Sequence, residues 1–149
     1  MPDAVVPLLA TAVVLAVLLP VRRPPRNRLT IGDDALRLQL GVWDKLYCCR
    51  SDVVVAIADV EGVTVSPRRL VPVSGIRLPG TAIPGLMRAG SYGRGSARDF
   101  WNVRRADSLL VIQLRPGAAY RRLVLEVIDP TTTARDLRPA LGAYTGALA

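Results

Sequence analysis

The hydrophobic pattern opens with a stretch that carries no charge. From Ala4 to Val21 the chain reads AVVPLLATAVVLAVLLPV, eighteen residues long. As a helix it would extend roughly 27 Å, close to the ~30 Å hydrocarbon core of a bilayer. Pro7 falls near the start of such a helix, where a missing N–H costs little, and Pro20 falls in its last turn. A single transmembrane helix over 4–21 is therefore predicted. A cleaved secretory leader is not, because only Met1, Pro2 and Asp3 precede the apolar run and Arg22-Arg23-Pro24-Pro25 is a poor cleavage site.

Beyond Pro24-Pro25, which stops the helix, the period changes to two. Leu29-Thr30-Ile31 opens a strand, Gly32-Asp33-Asp34 turns the chain, and Leu36, Leu38 and Leu40 alternate with Arg37 and Gln39, a strand with one buried face. After Val42–Cys49 a further strand is predicted at Val53–Ile57, and Asp59 to Gly62 turns into another at Val63–Val65. Residues 66–84 carry Pro67, Pro72, Pro79 and Pro84 with Gly75 and Gly80 between them, so no central strand fits and a long irregular connection is expected. Leu86–Tyr92 and Phe100–Arg104 flank GRGSARD as a hairpin with a flexible tip. Leu109–Leu114 and Leu123–Ile128 follow as apolar strands.

After Asp129-Pro130 the spacing turns helical. Thr131 to Thr133 can cap a helix, and Ala134, Leu137, Ala140 and Leu141 share one face. The expected organisation is a transmembrane and basic juxtamembrane segment over 1–28, a β domain over 29–142 and a frayed tail over 143–149. The 121 residues after position 28 suffice for one core without disulfides.

Charge adds a direction to this picture. The chain carries +8 formally; Arg22, Arg23, Arg26 and Arg28 supply +4, the rest of the domain +5, and Asp3 removes one. Because the basic excess follows the apolar stretch, the positive-inside bias places the N-terminus outside and the domain in the cytoplasm of a cell membrane. These four arginines are the candidate membrane-surface contacts, each contributing about 1 kcal/mol beside an anionic leaflet. Lys45 is the single Lys.

Catalytic chemistry finds little material. The chain has no His, which removes the usual general base and the commonest metal ligand. Cys48 and Cys49 are adjacent; on a strand they would face opposite ways, and they lack the spacing of a zinc site. Asp33, Asp34, Asp59, Glu61 and Asp99 fall in or beside predicted turns. The segment from Gly90 to Ser96 has the glycines of a phosphate cradle without the Lys-Ser/Thr ending of a P-loop. No catalytic residue, cofactor or metal is assigned. Arg88, Arg94, Arg98, Arg104 and Arg105, with Tyr92, Phe100 and Trp101 close by, make the central hairpin basic and aromatic, and Arg88, Tyr92, Arg94 and Arg98 are the candidate contacts for a protein partner or lipid. Nucleic acid is not expected, since eleven acidic residues dilute the domain's charge.

The order of these elements, with IRLPGTAIPGLMRAGSYGRGSARDFWNVRR followed by SLLVIQL, resembles the bacterial pleckstrin-homology-like family of small actinobacterial single-pass membrane proteins. The resemblance covers most of residues 27–141 and rests on Pro84-Gly85, the Gly90–Gly93 strand, Phe100-Trp101 and the paired strands ending at Asp129-Pro130. It implies a mainly β, half-open barrel of about seven strands with a C-terminal helix. It also implies a tethered module that binds proteins or the membrane surface and catalyses nothing. Phosphoinositide-binding members of the wider group carry a basic cluster on the first hairpin, where this chain has Gly32-Asp33-Asp34 and Arg37 alone. The second functional expectation is an accessory subunit that joins a membrane transporter or enzyme through its transmembrane helix.

Overall fold

The computed structural model describes residues 11–16, 19 and 22–147, without the side chains of 96 and 142–147. The predicted span over 4–21 lies largely outside them. Its described part is helical over 11–16, with Val13, Val14, Leu15 and Leu19 exposed. Among the described residues no helix is long and apolar enough to cross a membrane.

The described residues are mainly β, with nine strands in two sheets and a C-terminal helix. Strands β1 (Asn27–Ile31), β2 (Ala35–Leu40) and β3 (Val53–Ala56) form an antiparallel sheet. The period of two in β2 buries Leu36, Leu38 and Leu40, while Val53 and Val55 of β3 face the same way. Between β2 and β3 lies helix α1 (Val42–Cys48). A 3-10 turn at Ile57–Asp59 then carries the chain to the second sheet.

That sheet comprises β4 (Val60–Pro67), β5 (Arg77–Ile83), β6 (Met87–Tyr92), β7 (Asp99–Val103), β8 (Ser108–Leu114) and β9 (Arg122–Leu125). Its order is β4-β8-β9-β7-β6-β5, antiparallel throughout except for the parallel pair β7–β9. The predicted count of about seven strands is thus nine, and the connection over 66–84 contains one of the additional strands. β5 occupies the sheet edge, and its ladder breaks register between Arg77 and Gly80, which accommodates Pro79. Gly80 pairs with Gly90 so closely that a Cβ on Gly80 would lie 2.4 Å from the Ala89 carbonyl oxygen.

The main core lies between the sheets. Leu36, Leu38 and Val55 meet Phe100, Leu110, Ile112, Leu123 and Leu125 there, and α1 contributes Tyr47 and Cys48. Helix α2 (Pro130–Ala147) packs on β4 and β8 through Ala134 and Leu137. Its first turn is capped by Asp129, whose Oδ1 accepts the Thr132 N–H at 3.0 Å. The backbone stays helical to Ala147, past the predicted end near 142. The far face of the large sheet has its own apolar layer, in which Trp101, Val103, Leu109 and Val124 are buried under Val71.

Candidate functional site

Residues 23–27, which leave the predicted span, are bonded to the domain at successive points. Arg104 Nη1 donates to the Arg23 carbonyl at 2.7 Å. The Arg26 N–H donates to Asp44 Oδ2 at 3.0 Å, and the Arg26 carbonyl accepts the Gly41 N–H at 3.2 Å. The Asn27 side-chain amide donates to the carbonyls of Asn102 (3.2 Å) and Glu126 (2.7 Å) and accepts from Asn102 Nδ2 at 2.8 Å. Pro25 is buried among these contacts.

This clasp follows from where three short elements end. In α1 the residues Asp44, Tyr47 and Cys48 stand three and four apart, hence on one face, and all are buried. Arg104 follows β7 and Glu126 follows β9. Glu126 Oε2 accepts the N–H groups of Arg104 (2.7 Å) and Ala106 (3.1 Å), which fixes the turn after β7. Arg104 Nη2 then meets Asp44 Oδ1 at 2.6 Å with both side chains buried, and its guanidinium lies 5.6 Å from the centre of the Tyr47 ring. Burial pushes the Tyr47 hydroxyl above its ordinary pKa, opposed by Arg104. Gly41 is needed where the tether passes, because a Cβ there would lie 2.8 Å from Asp44 Oδ2 and 3.1 Å from Arg26 Cβ.

Around the clasp opens a cleft of about 470 Å³ lined by Arg23, Arg26, Val42, Trp43, Asp44 and Arg104. The side chains of Arg22, Arg23, Arg26 and Arg28 make no hydrogen bond or ion pair among the described residues, and all four are exposed. Beside them α1 turns its other face outward, with Val42 83%, Trp43 45% and Leu46 61% exposed.

The central-hairpin candidates do not converge. Arg88 lies over Tyr92 (5.9 Å) and Trp101 (5.1 Å) on the far face of the large sheet. Tyr92 is buried there, which raises its pKa against the opposing pull of Arg88 and Arg77. Arg98 instead donates from Nε to the Ala119 carbonyl at 2.9 Å and stacks 4.9 Å from the Tyr120 ring, which belongs to the main core. Arg94, at the tip, is exposed and has no side-chain partner among the described residues.

Asp99, predicted beside a turn, lies fully buried in β7 and is held by Arg121 (2.9 Å) and by Arg122 (2.8 Å). The bond to Asp99 raises the Arg121 pKa. Cys48 and Cys49 end a helix, not a strand: Cys48 is buried, its thiol pushed up to about 12 by burial, and Cys49 is exposed in a left-handed conformation. Among the described residues no group of three or more His, Cys, Asp or Glu side chains could hold a metal ion.

Sequence reasoning missed Asp44, Glu126 and the Asn27–Asn102 pair, and it counted Arg104 with the basic hairpin, whereas Arg104 is buried against Asp44. One signal was available, since Asp44 stands three and four residues before Tyr47 and Cys48, on the face those two would share in a helix. No family model, curated protein or solved structure matches the chain.

Proposed function

We propose that this chain is a membrane-anchored, PH-like interaction module, held by a transmembrane helix over 4–21 with its N-terminus outside and its β domain on the cytoplasmic side. Its work is binding, to the anionic membrane surface and through it to a protein partner, without catalysis. The observation that carries this reading is the clasp. Residues 23–27, which follow the uncharged segment, are bonded to Asp44, Arg104, Asn102 and Glu126, which supports a domain held close to its anchor instead of one on a loose string. The four arginines of the exit keep their guanidiniums free for phosphate, as the positive-inside bias and an anionic leaflet require.

The PH-like assignment draws on the two sheets closed by a C-terminal helix and on the run from Ile76 to Leu114. The non-catalytic reading draws on how the buried carboxylates are used. Asp44, Asp99 and Glu126 are each occupied by guanidinium or backbone N–H groups, and the chain has no His. The exposed Arg94 at the hairpin tip is the point offered to a partner.

The test uses the full chain in cell membranes. It should stay in the membrane fraction through high-salt and alkaline washes. In right-side-out vesicles a membrane-impermeant maleimide should modify Cys49 only after permeabilisation. Release by salt alone, or labelling of Cys49 from outside, would overturn the anchor or its orientation respectively.

A further inference from the structure

Resting on the anchored reading above, we infer that α1 is a second membrane contact, lying in the headgroup layer of the same anionic leaflet with Val42, Trp43 and Leu46 turned toward the acyl chains.

A helix that buries one face against its domain normally turns a polar face to water. In α1 the inward residues Asp44, Tyr47 and Cys48 are matched by an outward arc of Lys45, Val42, Leu46 and Trp43. At 100° per residue the three apolar members fall within roughly 100° of one another. Three large apolar side chains on so short an element form a patch, not scattered exposures.

The occupant follows from the tether. The uncharged segment ends at Val21, and by Arg23 and Arg26 the chain is already bonded to Arg104 and Asp44, the latter next to Trp43 in α1. A few residues reach about 3.3–3.6 Å each, so the clasp keeps α1 within a short span of the bilayer exit. Beside the apolar arc the guanidiniums of Arg23 and Arg26, which line the cleft with Val42 and Trp43 and have no partner among the described residues, supply positive charge, and Arg22 and Arg28 add to it in the same segment. Lys45 joins them, paired at the surface with Asp52 at 3.1 Å. An apolar arc with an aromatic at its edge and a basic surround is the composition of an interfacial helix on anionic lipid. A second copy of the chain, bringing the same arginines to the contact, would meet like charge.

The chain has two tryptophans, and Trp101 is buried, so Trp43 reports the contact. The full chain is reconstituted in phosphatidylglycerol vesicles whose acyl chains are brominated or plain. With Trp43 as sole tryptophan in a Trp101→Phe variant, emission should shift to the blue, and brominated chains should remove most of it. Should Trp101→Phe fail to fold, the otherwise native chain serves: its bromolipid quenching should disappear on Trp43→Phe. Vesicle flotation separates the two readings. A chain that floats with the vesicles while Trp43 stays unquenched and open to aqueous acrylamide sinks this inference and leaves the anchor standing. A chain that does not float sinks the anchor. Protection of Trp43 that tracks protein concentration and ignores bromination assigns the face to a second copy and overturns the lipid contact.

Discussion

The fold buries two ion centres that are built in opposite ways. Asp99 is local in the sheet: the parallel β7–β9 register sets it opposite Arg122, with Arg121 beside it, and two guanidiniums share one carboxylate. Asp44 is non-local. It joins α1 to Arg104, sixty residues away, and to the tether at Arg26, eighteen residues away. The Asp99 centre has cations in excess and one of them, Arg121, is 41% exposed in its side chain, so it can lose a partner to water. The Asp44 centre is paired with one cation, Arg104, and both side chains are buried. A buried pair contributes little net stability, but removing one member leaves an uncompensated charge. The first centre therefore secures strands that would pair anyway, and the second fixes how residues 23–27 lie on the domain.

The largest expected effect is at Arg104. Arg104→Ala leaves Asp44 buried without its cation and frees the Arg23 carbonyl, at a cost of about 3–5 kcal/mol, read as a drop in the denaturation midpoint of the reconstituted chain. Arg121→Ala should cost about 1 kcal/mol or less, because Arg122 remains and the lost partner is largely solvated. Equal losses at the two positions would remove the distinction between the centres. Asp99→Asn falls between them at about 2 kcal/mol, the scale of lost charge-assisted hydrogen bonds, since Arg122 is half-buried against Trp101 and cannot leave as freely as Arg121.

The other member of the buried pair sharpens the same contrast at a single amide. In Asp44→Ala the amide of Arg26 should exchange with solvent far faster, while the Arg121 amide, bonded to the Arg98 carbonyl at 2.8 Å, keeps its protection. Hydrogen exchange read by mass spectrometry separates these peptides. Loss of protection at both places would mean that the tether is not an independent locking point.

Much of the scaffold was legible from period alone. The alternation of Leu36, Leu38 and Leu40 and the apolar run Leu109–Leu114 are strands because one or both faces meet the core, and Ala134 and Leu137 face β4 and β8 as their spacing predicts. Helix α1 was not legible, because seven residues make two turns, too few for a 3.6 period to stand out, and Gly41 offers no side-chain cap. β5 was hidden by Pro79, which edge position and a register shift make tolerable. The clasp was beyond reach for a different reason. Asn27 meets residues 75 and 99 positions away, and no local pattern encodes such a pairing. Arg22, Arg23, Arg26 and Arg28 were visible as charge, but that their side chains have no partner among the described residues emerged only with the clasp, which uses the backbones of Arg23 and Arg26.

Asp52 offers the exposed counterpart of Asp44 and the smallest expected effect. Like Asp44 it pairs a backbone N–H with a cation, accepting from Leu40 at 2.9 Å and from Lys45 at 3.1 Å, but in solvent. The Leu40 N–H, then Lys45, hold its carboxyl below the ordinary value. A carboxylate with a depressed folded pKa adds stability that is complete above its unfolded pKa and disappears as pH falls through the folded one. The Leu40 amide should therefore lose its shift and protection only at acid pH, below the ordinary carboxylate range, and salt should weaken the Lys45 pairing while sparing the Leu40 bond. In Asp52→Asn the acid step at Leu40 should vanish with little change in melting temperature at neutral pH. An NMR titration of the Leu40 amide in both chains checks this, and a large neutral-pH loss in Asp52→Asn would show that exposure is not what separates this carboxylate from Asp44.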